Sequence, residues 1–143
     1  MTLSRQQVGE FLAALGARTP APASGAATAL AGALAAALVE LAARFAGDDA
    51  ATERASALAA RLTELADEDS AAYTAFMEDR SDVNRARIVA VPLEVAASAD
   101  EVAELAVKVR AQLKGAVGGD AEAAAELARA TARIGRRLAE LNA

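Results

Sequence analysis

The stretch "RTPAPASGAATALAGALAAALVEL", from Arg18 to Leu41, decides the fold because it joins a proline-marked turn to a long apolar helix. None of the 17 residues from Ala23 to Val39 is charged. That length lies at the lower limit for a membrane span, and the run is rich in alanine rather than leucine. A ridge of small residues on this helix allows another backbone to approach closely, at Gly25, Ala29, Ala33 and Ala37. We therefore expect a helix buried on most sides, within the chain or against a partner subunit, and not a membrane span.

The remaining chain has the composition of a helical bundle. Its 143 residues are 55% hydrophobic, alanine supplies most of that fraction, and only three Phe and one Tyr are present. Alanine favours helix and adds little side-chain volume, which predicts closely packed helices. No stretch alternates as a strand would. The sequence therefore predicts an all-α antiparallel bundle of about five helices in one domain, residues 1–143.

Boundary signals in the first half predict where the helices begin and end. Ser4 and Gln7 have the spacing of a capping box at the start of the first helix, and Gly16 is placed to end that helix. The apolar helix follows it. One residue of Asp48-Asp49 then caps a third helix that runs to about Met77.

The second half carries similar signals. Ser81-Asp82 begins a helical stretch that kinks or restarts at Pro92. A second capping box at Ser98 and Glu101 predicts another helix start, and Asp120 caps the last helix. The apolar stripe of that last helix is Leu127, Thr131, Ile134, Leu138 and Leu141.

Charge and residue types exclude several classes of function. The formal net charge is −5 and no basic run is present, so nothing predicts a nucleic-acid partner. Cysteine and histidine are absent, which leaves no disulfide, no thiol nucleophile and no imidazole, and no metal-ligand spacing is found. Chemistry would rely on carboxylates, hydroxyls, arginines, two lysines, backbone groups or a cofactor. The chain opens without a signal peptide, which predicts a cytoplasmic protein.

Asp69 is the residue that this pattern singles out. Leu62 and Leu65 precede it and Tyr73 follows it at helical spacing, which places a carboxylate on the apolar face of the third helix. Burying an unpaired carboxylate is costly, so Asp69 is expected to be paired, protonated or functional. A nearby arginine, or a place at the edge of the stripe, would give it a purely structural role.

Three other places have weaker patterns. Asp67 flanks Asp69 on another face of the helix, where exposure to solvent accounts for it. Asp120 follows Gly118-Gly119 at a helix start, where an N-cap role accounts for it. Ser24-Gly25, at the start of the apolar helix, is placed to offer backbone amides to an anionic or carbonyl group.

Five segments, in order along the chain, follow a known pattern. "FLAALGARTPAPASGAATALAGALAAALV" is similar to F-L-x-x-L-A-x-x-x-P-x-P-G-G-G-S with a small-residue helix after it. "LADEDSAAYTAF" is similar to L-x-D-x-D-x-x-A-F/Y, and "AVPLEVA" to V-P-L-x-V-A. "GGDAEAAAELARA" lies where S-D and an alanine-rich helix would stand, and Asn142 matches the second asparagine of N-V-x-x-N-L. Together these segments resemble the formiminotransferase-cyclodeaminase C-terminal family, which includes bacterial methenyltetrahydrofolate cyclohydrolases.

The chain departs from the pattern of that family in three places. "ASGA" at 23–26 replaces G-G-G-S, so that a single glycine remains. Gly119 stands where the serine of S-D would be, and Leu138 stands where the first asparagine would be. Glycines let a backbone approach a ligand closely, so the methyl groups in the loop are expected to narrow the space there.

The resemblance implies a folate-dependent one-carbon enzyme, either a methenyltetrahydrofolate cyclohydrolase or a formiminotetrahydrofolate cyclodeaminase, with no metal and no cofactor beyond the folate substrate. The implied catalytic residues are Asp69 and Asp120, and the implied substrate-binding residues are Ser24, Gly25, Asp67, Tyr73 and Asn142. A homo-oligomer, a dimer or larger, is also implied. Two alternatives stay open: a non-catalytic bundle of the same family that binds a ligand or forms a structural oligomer, and an unrelated alanine-rich helical adaptor.

Overall fold

The computed structural model describes residues 2–143, and those residues fold as helices and connecting turns. A short 3-10 turn spans Leu3–Arg5, and the helices are α1 (Val8–Gly16), α2 (Ser24–Ala46), α3 (Asp49–Glu78), α4 (Asp82–Arg110) and α5 (Val117–Asn142). No strand occurs in this described part of the chain. The predicted all-α bundle of about five helices is confirmed.

The four long helices form the bundle, and α1 lies outside it. Helix α2 packs against α3 and α5, α4 packs against the same two neighbours, and α2 also meets α4 across the centre. Short connections join successive helices, which makes neighbours in sequence antiparallel. Helix α1 has no buried residue. Two ends of the bundle result: α2 begins and α5 ends at one, and α3 and α5 begin at the other.

Small residues, rather than large ones, fill the face that α2 buries. A Cβ added at Gly32 would lie 3.1 Å from Thr131 of α5 and 3.3 Å from Leu62 of α3, so this glycine lets three helices converge. The large side chains of α2 face outward instead, with Leu34 64% exposed and Phe45 67% exposed. The buried residues of α2 are Ala26, Thr28, Ala29, Gly32, Ala35, Ala36, Val39, Ala42 and Ala43.

The predicted apolar stripe of α5 is wrong, because small residues form the buried face of this helix as they do in α2. Of its five members only Thr131 is fully buried, and Leu127, Ile134 and Leu141 are exposed. The face that packs is built from small residues: Gly118, Ala121, Ala124, Ala125, Ala128, Thr131, Ala132, Gly135 and Ala139. Helices that approach this closely have no room for leucine between them, so the leucines of α5 lie at the flank.

Two predicted helix starts are confirmed. Asp48 caps α3, because its side chain accepts a hydrogen bond from the Ala51 amide at 3.0 Å. Ser81 caps α4 and accepts a hydrogen bond from the Asn84 amide at 3.2 Å. Helix α3 ends at Glu78, one residue after the predicted end.

Other predicted boundaries are wrong. Gln7 caps α1 together with Glu10, so the capping box starts at Gln7 and not at Ser4. Helix α4 continues through Pro92, so the predicted restart is wrong and the predicted kink stays a prediction. Ser98 lies inside the same helix, because buried residues on both sides hold that stretch in the core. Asp120 is not the N-cap of α5: that helix begins at Val117, which places Asp120 in its first turn.

Helix α2 passes the length and composition test for a membrane span, with a mean hydropathy of 1.8 over its most apolar window. Half of that window, 50%, is buried inside the bundle. A helix that buries alanine and glycine against three neighbours has the surface of a core helix, which is the form that the sequence led us to expect.

Candidate functional site

A pocket of about 220 Å³ opens at the end of the bundle where α2 begins and α5 ends. It contains five of the seven residues that the sequence singled out: Ser24, Gly25, Asp69, Tyr73 and Asn142. The complete lining is Pro20, Ala21, Ala23, Ser24, Gly25, Asp69, Tyr73, Pro92, Leu138 and Asn142. Residues far apart in sequence therefore meet here, from the turn before α2 and from all four long helices.

Asp69 supplies the only charged side chain of this lining. It follows the buried Leu62 and Leu65 on α3, so the packing of those leucines directs its face of the helix toward the bundle interior. Within residues 2–143 its carboxylate forms no hydrogen bond and no salt bridge, so the arginine partner of the structural alternative is not found. Burial raises the pKa of Asp69 above that of an ordinary aspartate, since desolvation disfavours the charged form.

Gly25 lies directly against that carboxylate. A Cβ at this position would lie 2.2 Å from each of the two Asp69 oxygens, so no residue with a side chain fits without displacing Asp69. Only the third of the three glycines in the family pattern is retained in this chain, and it is the one that touches the carboxylate. The requirement for glycine here is steric, because the side chain of Asp69 occupies the volume that a methyl group would need.

The first turn of α2 presents backbone donors to the same pocket. Its N-cap residue, Ala23, has no side chain that can accept a hydrogen bond. The first helical bond at this end runs from the Ala27 amide to the Ala23 carbonyl. No hydrogen bond in the described structure uses the amides of Ser24, Gly25 or Ala26. Unpaired amides at a helix start favour an anion or a carbonyl oxygen, which agrees with the role expected of Ser24-Gly25.

Asn142 is anchored at the opposite wall. Its Nδ2 donates a hydrogen bond of 2.8 Å to the carbonyl of Ile88 on α4. Pro92 and Leu138 line the pocket beside it. The sequence marked Pro92 only as a helix irregularity, and nothing in its spacing indicated a pocket residue.

Two predicted site residues lie elsewhere. Asp67 accepts a hydrogen bond of 3.0 Å from the Leu3 amide, so it holds the N-terminal turn against α3. Asp120 lies in the first turn of α5, 22 residues before Asn142, which corresponds to about 33 Å along a helix. One chain therefore does not bring Asp120 into the pocket of Asp69, and the two catalytic candidates are separated.

One larger cavity has a different character. A groove of about 560 Å³ runs between α1 and the outer face of α2, and nearly all of its lining is apolar. Neither Asp69 nor any other pocket residue lines it. Among residues 2–143 no three carboxylates gather as they would around a metal ion. The Asp69 pocket is thus the place where the polar residues singled out by the sequence converge.

Comparison with known families gives one match. The family model described as formiminotransferase-cyclodeaminase matches residues 7–143. That range contains every residue of the pocket, from Pro20 to Asn142, and excludes only the N-terminal six residues. No curated protein matches the chain.

Proposed function

The chain belongs to the formiminotransferase-cyclodeaminase family, which indicates a folate-related one-carbon function, and from that premise we propose that it is a methenyltetrahydrofolate cyclohydrolase or a formiminotetrahydrofolate cyclodeaminase. The observation that carries this proposal is the half-buried Asp69 carboxylate, which has no hydrogen-bond or salt-bridge partner among residues 2–143 and lies in a pocket with Tyr73 and Asn142. An unpaired carboxylate in such a place is suited to proton transfer and to a cationic ligand.

Both reactions pass through a cationic carbon held between two nitrogens. In the cyclohydrolase reaction, water oxygen bonds to that carbon and gives a proton to Asp69. The hydroxyl then becomes the formyl carbonyl as the carbon–N5 bond breaks, N5 takes one proton, and the other proton leaves to solvent. In the cyclodeaminase reaction, N10 attacks the carbon of the protonated formimino group, whose nitrogen becomes an amine. The N10 proton passes through Asp69 to that amine, and ammonia leaves with the electron pair of its bond to carbon, which gives the methenyl cation.

The polarity of the pocket suits these steps. Neither lysine nor arginine lines it, so no side-chain cation competes with a positively charged folate for Asp69. A raised pKa makes Asp69 a better proton acceptor than an ordinary aspartate, while its ionised form still stabilises the cation. The unpaired amides at the start of α2 are donors for a carbonyl oxygen that forms during the reaction.

The size of the pocket limits how much of a folate it encloses. Its 220 Å³ lies below the range of about 300–1,000 Å³ that is usual for ligand sites. We infer that the pterin end enters it and that the remainder of the folate lies outside. Ala23 and Ser24, where the family pattern has glycines, occupy part of the entrance.

Two arginines beyond the pocket are placed to bind the acidic tail of the folate. The guanidinium carbons of Arg80 and Arg85 lie 5.2 and 5.1 Å from the ring centre of Phe76, which is one turn after Tyr73 on α3. Neither arginine forms a salt bridge in the described part of the chain. Stacking on the ring holds both charges at one edge, where they would meet glutamate carboxylates.

A second copy of the chain is proposed as the partner, seated on the outer face formed by α1 and α2. Val8 and Leu12 of α1 are 75% and 60% exposed, and Leu34 and Phe45 of α2 are also exposed to solvent. The accessible surface is 7727 Å², against about 6,800 Å² for a typical monomer of this mass. A total surface above that of a typical monomer, with large apolar side chains exposed on it, is usual in subunits of an oligomer.

Sedimentation tests the dimer. Leu34→Glu places a charge on the outer face and is expected to convert a dimer to a monomer. Ala57→Glu, on the exposed side of α3, is the matched control and leaves the dimer intact. A wild-type monomer at all concentrations, or a dimer that survives Leu34→Glu, overturns this part of the proposal.

A non-catalytic role in the same family is the second candidate. Leu138 lines the pocket where the family pattern has an asparagine, so one polar group of that pattern is missing from the wall. A protein that binds a folate without turnover would retain the pocket but would not accelerate either reaction. Calorimetric binding without catalysis would identify that case.

Absorbance of methenyltetrahydrofolate tests the enzyme directly. Wild type is expected to exceed the uncatalysed rate, and Asp69→Asn is expected to lose about 10²–10⁴-fold of that excess. Asp67→Asn is the control, because it lies two residues away on the same helix but bonds Leu3 outside the pocket. No rate with either the methenyl or the formimino substrate would reject both enzyme assignments.

A further inference from the structure

A single hydrogen bond connects the last turn of α5 to the proline of α4. In a regular helix the amide of residue 92 would donate to the carbonyl of Ile88, four residues earlier. Pro92 has no amide hydrogen, so that carbonyl loses its helical donor. Asn142 Nδ2 donates to Ile88 O at 2.8 Å and so replaces the missing donor.

This bond also determines the orientation of the Asn142 amide. A carbonyl oxygen only accepts, so the nitrogen of Asn142, and not its oxygen, must face Ile88. The remaining Oδ1 forms no hydrogen bond within the described residues. Since Asn142 lines the pocket of Asp69, its oxygen is an acceptor available to a ligand there.

The packing of α5 on α4 holds the two residues at this distance. A Cβ at Gly135 would lie 2.7 Å from the backbone oxygen of Pro92, so α5 approaches α4 closely at the proline. Asn142 follows Gly135 by about two turns, toward the end of α4 that carries Ile88. The contact is therefore built into the helix interface and does not depend on a loop.

We propose that Pro92 is a positioning residue: by leaving Ile88 O without a backbone donor, it holds Asn142 so that Oδ1 accepts a hydrogen bond from an N–H group of the ligand. With Asp69, the pocket then offers two oxygen acceptors to one ligand. The ligand class that fits is a heterocycle with several N–H donors, such as an aminopyrimidinone. The identity of the ligand rests on the proposed folate function, whereas the coupling of Pro92 to Asn142 does not.

Binding of 5-formyltetrahydrofolate, a stable reduced folate, tests the proposal in a double-mutant cycle. Asn142→Ala and Pro92→Ala are each expected to weaken binding about tenfold, which is the effect of one lost hydrogen bond. The double variant is expected to bind no more weakly than either single variant, because Pro92 acts through Asn142. Effects that multiply to about a hundredfold would mean that Pro92 contacts the ligand directly and would overturn the proposal.

Stability distinguishes positioning from damage to the fold. Pro92→Ala restores an amide that can bond Ile88 O inside a helix, so its melting temperature is expected to equal or exceed that of wild type. Weaker binding in a protein that is no less stable is the result a merely structural role would not give. Leu93→Ala, at the exposed neighbouring residue outside the pocket lining, is the control and leaves binding unchanged.

The side-chain amide of Asn142 provides a readout that needs no ligand. In a ¹⁵N correlation spectrum its NH₂ pair is identified by its loss in Asn142→Ala, and in wild type it is expected to be rigid and slow to exchange. In Pro92→Ala the pair is expected to become mobile. An unchanged pair would overturn the coupling. If wild type binds no folate while this change is seen, the proposed function fails and the positioning role stands.

Discussion

Two aspartates at opposite ends of the bundle show how differently one residue type is used. Asp48 lies at the far end, where α3 and α5 begin. It accepts hydrogen bonds from the Ala51 amide and from Gln112 Nε2, each at 3.0 Å. The Gln112 bond, followed by the Ala51 bond, lowers the pKa of Asp48. Asp69 lies at the pocket end, where α2 begins and α5 ends. Its carboxylate has no such partner in the part of the chain that the structure describes, and burial raises its pKa.

The starts of α3 and α2 repeat this contrast. At the far end α3 begins with Asp48, whose side chain satisfies an amide of the first turn. At the pocket end α2 begins with Ala23, which satisfies none. Polar groups without partners are few in folded proteins, so the meeting of the Asp69 carboxylate and the first amides of α2 in one pocket marks a place where a ligand would complete them. The capped start of α3 contributes stability to the fold. The unpaired groups of the pocket lower stability and leave hydrogen-bonding positions for a ligand.

Gly25→Ala is expected to disrupt the pocket most severely and to reduce kcat/KM. The added methyl group occupies the position of the Asp69 carboxylate, 2.2 Å from both oxygens, and must displace it. We expect a loss of at least about 100-fold in kcat/KM, since a small displacement of a reacting group has effects of that size. Gly119→Ala is the far-end control, because a Cβ there meets nothing within 4 Å. Equal activity in both variants would contradict the contact between Gly25 and Asp69.

The pH dependence of kcat/KM should report the raised pKa of Asp69. An essential base must be ionised, so the rate is expected to fall about tenfold per pH unit below the pKa of that group. The inflection is expected above the ordinary aspartate value of about 3.9. Asp48→Asn should leave the profile where it is. An inflection at or below the ordinary value would exclude Asp69 as the base.

Stability should change in opposite directions when the two aspartates lose their charge. The raised pKa of Asp69 means that folding favours its protonated form, and this contribution is lost as pH rises through the folded-state pKa. Asp69→Asn should therefore melt about 2–5 °C higher than wild type at pH 7. Asp48→Ala should melt lower, because the stabilisation from its lowered pKa is present above about pH 3.9 and is lost in acid.

Thermal unfolding at pH 7 and at about pH 3 checks both signs in one experiment. The Asp69→Asn difference is expected to shrink in acid, where that carboxyl group is protonated in the folded and unfolded chain alike. The Asp48→Ala difference is expected to shrink as the pH falls through the lowered folded-state pKa of Asp48. A destabilised Asp69→Asn at pH 7 would show that the Asp69 carboxylate has a stabilising partner.

Sequence reasoning found the pocket end better than the helix interfaces. Asp69 was identifiable because a charged residue interrupts a stripe of leucines, which is a local signal. The predicted buried stripe of α5 was wrong because it was assigned to the leucines. Close helix packing instead buries Gly135 and its alanine neighbours. The bond of Asn142 to Ile88 joins residues 54 positions apart, and only its cause, the missing amide of Pro92, is visible in the sequence.

Asp120→Asn is expected to have the smallest effect on activity. It tests most directly whether catalysis depends on the pocket end alone. Asp120 and Asn142 begin and end the same helix, about 33 Å apart, so an isolated chain keeps Asp120 away from the reacting atoms. We expect less than about a twofold change in kcat/KM, measured beside Asp69→Asn, since an effect on chemistry requires contact. A loss of tenfold or more would contradict this expectation. Because a rigid helix cannot bring its own two ends together, such a loss would mean that Asp120 of one subunit enters the pocket of another, and it should then disappear in the monomeric Leu34→Glu background.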